Sequence, residues 1–141
     1  MNKVIALIRI AGMVNRTHDI SNTLHNLRLR KKYTCSIVLE TKEVSGMVKK
    51  VRSFIAYGDI DKETLIELIR KRGKSLDKNK KIDVEKAADI ILKTGNFDDT
   101  GLKPFFALHP PRKGINTKQH FPNGVLGNHK LEINNLIRRM L

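Results

Sequence analysis

Between Leu102 and Lys130 the chain gathers Lys103, Arg112, Lys113, Lys118 and Lys130 with His109, His120 and His129, and it holds no acid from Thr100 to Leu131. The chemistry open to such a run is neutralisation of anions: ammonium groups act as point charges and guanidinium groups fork onto paired phosphate oxygens. The run is not built to fold on its own. Pro110-Pro111 removes two backbone donors, and Gly114, Gly124 and Gly127 permit turns, so an extended arm or loop is expected from Pro110 onward. Such an arm has little apolar side chain to bury and many charges to satisfy, and a phosphate backbone would supply what it lacks.

Other reactive groups do not assemble by spacing. His18 and His25 lie seven residues apart, and His109, His120 and His129 are separated by gaps of 11 and nine within the arm. Neither pattern is a metal knuckle or a short helical ligand pair, and no second cysteine accompanies Cys35. Cys35 falls inside an apolar run and is expected as a small buried hydrophobe rather than a nucleophile. Asp59/Asp61 and Asp98/Asp99 sit beside glycine or at expected helix starts, where capping accounts for them better than paired acid–base work. There is no glycine-rich loop of either standard phosphate-binding spacing. No nucleophile, base and orienting group can be matched, so no catalytic residue and no cofactor is assigned.

The global charge agrees with an anion-binding role. The 141 residues carry 28 Lys/Arg against 14 acids, a formal net charge of +14 with a pI near 10.2. Residues 1–60 hold 11 basic residues and four acids, residues 61–99 hold ten and nine, and residues 100–141 hold seven and one. The first and last thirds are therefore the anion-facing parts, and the middle is an ordinary solvated segment of mixed sign. A single cysteine fits a reducing compartment, no apolar run is long enough for a membrane span, and the start shows no signal-peptide pattern.

The elements that must position these cations are legible in outline. Lys3–Ile10 is apolar at consecutive positions and is expected to be a strand near the middle of a sheet, with Arg9 reaching solvent or RNA at its tip. A helix follows, capped by Thr17, with Ile20, Leu24 and Leu27 on one face and Arg28–Lys32 at its end. Tyr33–Glu40 is the second strand. Ser45 or Thr41 starts a second helix with Met47, Val48, Val51, Phe54 and Ile55 inward, stopped by Tyr57-Gly58-Asp59. Asp61 and Asp83 cap two further helices that end at Gly73 and Gly95. Pro104–Leu108 is expected as a third strand, and Leu131, Ile133, Leu136, Ile137 and Met140 mark a short closing helix. The domain plan is one unit: 1–58 as the first part of the core, 59–101 a helical insert, 102–109 the last core strand, and 110–141 the arm and closing helix.

Several of these pieces, in this order, resemble one family. They are Ile8-Arg9-Ile10 before Gly12, Leu27-Arg28-Leu29 with basic residues and Tyr33, Gly46-Met47-Val48-Lys49-Lys50-Val51, Leu108-His109-Pro110-Pro111-Arg112-Lys113-Gly114, Leu126-Gly127, and Ile133–Met140. Together they resemble the long, archaeal-type form of the large-subunit ribosomal protein family called L-thirty in bacteria and L-seven in eukaryotes. Two departures occur: Asn123-Gly124-Val125 stands where the family often has paired glycines, and Asn128-His129 where an aromatic-Arg pair is common. The resemblance implies an α+β fold, a small β-α-β-α-β core with a three-stranded, ferredoxin-like sheet. The first strand would be central, with helices on one face, a helical insert before the last strand and a C-terminal extended arm with a short helix. Pattern alone would favour a parallel crossover, whereas the family is described as largely antiparallel, so strand direction stays open.

The function implied is structural: binding of large-subunit ribosomal RNA in the cytoplasmic ribosome, near five-S RNA and beside neighbouring ribosomal proteins, with no membrane and no small-molecule substrate. The expected RNA contacts are Arg9, Arg16, Arg28, Arg30, Lys31, Lys32, Lys49, Lys50, Arg52, Arg112, Lys113, Lys118, His120 and Lys130, with Phe121 stacking on an exposed base. The alternative is a basic DNA-binding regulator built on the two middle helices, although their connector from Arg72 to Lys81 exceeds a tight helix-turn-helix turn. An RNA-processing enzyme would need a role for His109 or His129.

Overall fold

The computed structural model describes residues 4–10, 18–52, 54–73, 83–94, 105–110 and 127–140. The continuous apolar run at the start is strand β1, Val4–Arg9, and its neighbours explain why it does not alternate. Strand β2, Thr34–Leu39, and strand β3, Ile55–Asp59, flank it on either side, both antiparallel. Ile5 and Leu7 point into one apolar cluster, and Val4, Ala6 and Ile8 into a second on the opposite face. A strand in mid-sheet with both faces covered has no polar side to show.

The first face is covered by helix α1, His18–Asn26, and helix α2, Lys42–Val51, which bring Leu24, Val48 and Val51 against Ile5, Leu7 and Ile55. Thr41 caps α2, its hydroxyl accepting from the amide of Val44 at 3.2 Å. The second face is covered by helix α3, Lys62–Arg72, helix α4, Val84–Thr94, and helix α5, Ile133–Met140. Helices therefore lie on both faces, not on the single face expected. Asp61 caps α3 through the amide of Thr64 at 2.8 Å, and Asp83 caps α4 through the amides of Glu85 and Lys86 at 3.1 and 3.4 Å. Lys62 and Asp89 form an ion pair between α3 and α4 at 2.8 Å, which raises the lysine pKa and lowers the aspartate pKa, chiefly through their hydrogen bond.

Several expectations change. The second helix stops at Val51, so Ile55 to Asp59 is strand rather than helix and turn, and this is the third strand of the β-α-β-α-β core. The α3–α4 pair consequently follows that core. What was expected as a third strand at Pro104–Leu108 is the two-residue edge strand β4, Phe106–Ala107, antiparallel to β2. At the end of the segment expected as an arm, Gly127–Asn128 form strand β5, parallel to β3, giving the order β4-β2-β1-β3-β5. A 3-10 turn, Lys130–Glu132, leads into α5, and Leu131 points outward at 69% exposure instead of joining the apolar face.

Helix α1 also ends earlier than expected. Its last turn closes with Arg28 N–H donating to the His25 carbonyl at 3.0 Å and Leu29 N–H to the Leu24 carbonyl at 2.9 Å, with Arg28 at φ 64°. That pair of bonds is a Schellman cap, with buried Leu29 and Leu24 in one cluster and arginine where glycine is usual. Residues Arg28 to Tyr33 are consequently a loop.

Candidate nucleic-acid interface

Antiparallel pairing brings distant basic segments to one end of the sheet. In register, Arg9 at the end of β1 lies beside Ile55 at the start of β3, and Ile8 beside Cys35 near the start of β2. The loop Arg28–Lys32 precedes β2 and the last turn of α2, with Lys49, Lys50 and Arg52, precedes β3. Both therefore open at this same end. Arg28, Arg30, Lys31, Lys32, Lys49, Lys50 and Arg52 are all exposed. Lys50 pairs with Asp19 across α1 and α2 at 2.5 Å, a surface contact that contributes little to stability.

The arm is tied to the same end at both of its limits. Strand β4 runs out past the start of β2, where Leu108 N–H donates to the Tyr33 carbonyl at 3.0 Å and His109 N–H to the Met140 carbonyl at 3.2 Å. The His109 ring nitrogen Nδ1 lies 2.6 Å from the Pro110 carbonyl. The chain returns as β5 with Gly127 beside Ala56 and Asn128 beside Tyr57, again at the start of β3. His129 N–H then donates to the Tyr57 carbonyl at 2.7 Å, and Lys130, exposed at φ 52°, follows. Arg16, Arg112, Lys113, Lys118, His120 and Phe121, together with the Thr17 cap, lie outside the described residues.

Arg9 is a correction. It does not extend from the strand tip to solvent; it is 1% exposed, and its Nη1 donates to the carbonyls of Leu29 and Arg30, each at 2.9 Å. A guanidinium can be buried where peptide carbonyls replace its water, and here the turn after α1 presents two of them.

Tyr33 was not among the expected RNA contacts, yet it joins the parts of this surface. Its amide donates to the Arg9 carbonyl at 2.7 Å, its carbonyl receives Leu108 N–H, and its ring lies under Lys32 Nζ at 5.1 Å from the centroid. Its advance signals were its position at the end of a basic run and its place among the residues that carry the family resemblance. Cys35 is fully buried, and desolvation pushes its thiol up to about 12, consistent with a packing role. Among the described residues no group of three or more His, Cys, Asp or Glu could hold a metal ion, and no helix is long and apolar enough to cross a membrane.

Residues 5–55 match the family described as Ribosomal protein L30p/L7e. Over 97% of its length the chain aligns with 99% of the large ribosomal subunit protein uL30 of Archaeoglobus fulgidus, at 39% identity. The uL30 of Methanococcus maripaludis is 38% identical, with 96% of this chain and 98% of that protein covered. That of Pyrobaculum islandicum is also 38% identical, over 96% of this chain and 93% of its own length. With similarity running through the core, the α3–α4 pair and the closing helix alike, the chain belongs to the uL30 family of ribosomal proteins.

Proposed function

We propose that this protein is a non-catalytic constituent of the large ribosomal subunit in the cytoplasm, and that it binds ribosomal RNA with the end of the sheet where Arg9 stops. The observation that carries this is convergence: the loop Arg28–Lys32, the last turn of α2 and both anchors of the arm open at one end of one sheet. Arg28, Arg30, Lys31, Lys32, Lys49 and Arg52 there meet phosphates, and Lys50 does so by giving up Asp19. The arm extends the surface with Arg112, Lys113, Lys118, His120 and Lys130, Phe121 offers a ring to an unstacked base, and Arg16 adds a cation after β1. The uL30 relatives are named as large-subunit proteins, and this chain shares nearly their whole length.

The near-neutral α3–α4 pair takes no part in this surface and faces neighbouring ribosomal proteins or solvent. A DNA-reading role for it finds no support, since exposed Glu85 and Asp89 on α4 would meet phosphate.

The test is co-sedimentation with large subunits, followed by binding to large-subunit RNA, five-S RNA and duplex DNA across a salt series. Neutralising about six phosphates lowers affinity by roughly a thousandfold between about 50 and about 200 mM salt. Tight RNA binding with that slope supports the proposal. A flat response, or preference for a duplex DNA sequence, overturns it.

A further inference from the structure

We infer that Arg9 is the positioning residue of the RNA-binding surface, holding the loop Leu29–Tyr33 in its binding shape from beneath; the inference rests on the function proposed above. One residue grips both ends of that loop. The Arg9 side chain donates to the carbonyls of Leu29 and Arg30, and the Arg9 main-chain carbonyl receives the amide of Tyr33. The loop needs holding, because its two flanks, Arg28 at φ 64° and Tyr33 at φ 65°, sit in the left-handed region that L-residues rarely adopt. Between them Arg30, Lys31 and Lys32 are exposed.

The chemistry calls for arginine. Two carbonyls converge on one nitrogen, and the planar guanidinium supplies two N–H vectors there. An apolar residue of similar length fills the space but leaves both carbonyls without this donor. The buried cation also raises the positive potential under the loop, in surroundings that screen it poorly. A loop fixed before binding loses less freedom when phosphate arrives, so cations mounted on it contribute more to affinity.

The experiment is a double-mutant cycle in the full-length protein, with Arg9→Met and Arg30→Ala and large-subunit RNA as the probe. Arg30→Ala keeps the carbonyl that Arg9 binds and removes only the exposed charge. Expected is a loss of about tenfold for Arg30→Ala in the wild-type background and about twofold or less beside Arg9→Met, since coupled residues are not additive. Equal losses in both backgrounds, with wild-type RNA binding intact, overturn the positioning role and leave the RNA-binding proposal standing. Should Arg9→Met fail to fold, the same cycle is run with Arg9→Lys, whose ammonium has donors enough but ends one atom short of the position that Nη1 occupies. Amide exchange in the free protein gives a separate readout that does not depend on RNA. Faster exchange at Leu29 and Tyr33 in the Arg9 variant supports the clamp even if the wild type binds no RNA, and unchanged protection overturns it.

Discussion

Asn134 of α5 and Asp61 at the start of α3 are joined across 73 residues of sequence, with Asp61 N–H donating to Asn134 Oδ1 at 3.0 Å. The same amide group donates from Nδ2 to the carbonyls of Leu131 at 2.8 Å and Asp59 at 3.2 Å. A single buried side chain thus pins the closing helix to the β3–α3 turn. Asn134→Ala leaves a donor and two acceptors without these partners and is expected to destabilise the fold by about 2 kcal/mol. Urea unfolding checks this; a change within about 0.5 kcal/mol would show that water replaces the bonds.

Gly58 faces Ala6 in the sheet, and a Cβ there would overlap the main-chain oxygen of Lys130 and lie 2.9 Å from Ile133 Cβ. Glycine inside a strand marks a close backbone approach, here that of the 3-10 turn leading into α5. Gly58→Ala is expected to cost about 2 kcal/mol or more, because the obstacle includes rigid main chain. Thermal unfolding measures the cost, and amide exchange should show its largest loss of protection across α5.

That glycine also marks where sequence reasoning lost the third core strand. Met47, Val48, Val51, Phe54 and Ile55 keep helical spacing, so periodicity alone carries the helix through the true break after Val51. Tyr57-Gly58-Asp59 then reads as a stop. What makes this segment a strand is its pairing with β1, a non-local contact that propensity does not encode. Local signals fared better: Asp61 and Asp83 cap where their side chains predict, and of the two candidates Ser45 and Thr41 it is Thr41 that caps α2, because capping needs only residues two or three positions away. The basic surface was legible as a list of cations. Its gathering at one sheet end was not, since strand direction decides that, and neither was Arg9's burial, which depends on carbonyls 20 and 21 residues downstream.

Cys35 gives a pH-dependent prediction. Its thiol ionises near 9 when exposed and only at about 12 in the fold, so the unfolded chain releases the proton first. The stability this group contributes is complete below pH 9 and is lost as pH rises towards the folded value, by up to about 1.4 kcal/mol per pH unit. Wild type should therefore lose stability faster than Cys35→Ala between pH 9 and 12. Parallel curves for the two proteins would contradict the buried thiol, as would rapid thiol labelling of the native protein at pH 8.

Arg28 sets stability against binding. It occupies the left-handed position of the Schellman cap that ends α1, at φ 64°, where glycine carries no steric penalty. Arg28→Gly is expected to stabilise the protein by about 1 kcal/mol, the side-chain clash it relieves. Its guanidinium is exposed at the basic end of the sheet, so the same change removes one phosphate contact, with an affinity loss of about tenfold and a salt slope smaller by about 0.7 to 0.9. Melting temperature and RNA affinity of one variant should thus move in opposite directions. If both rise, or if affinity is unchanged, arginine at this strained position has no role in RNA contact, and the interface begins instead at Arg30.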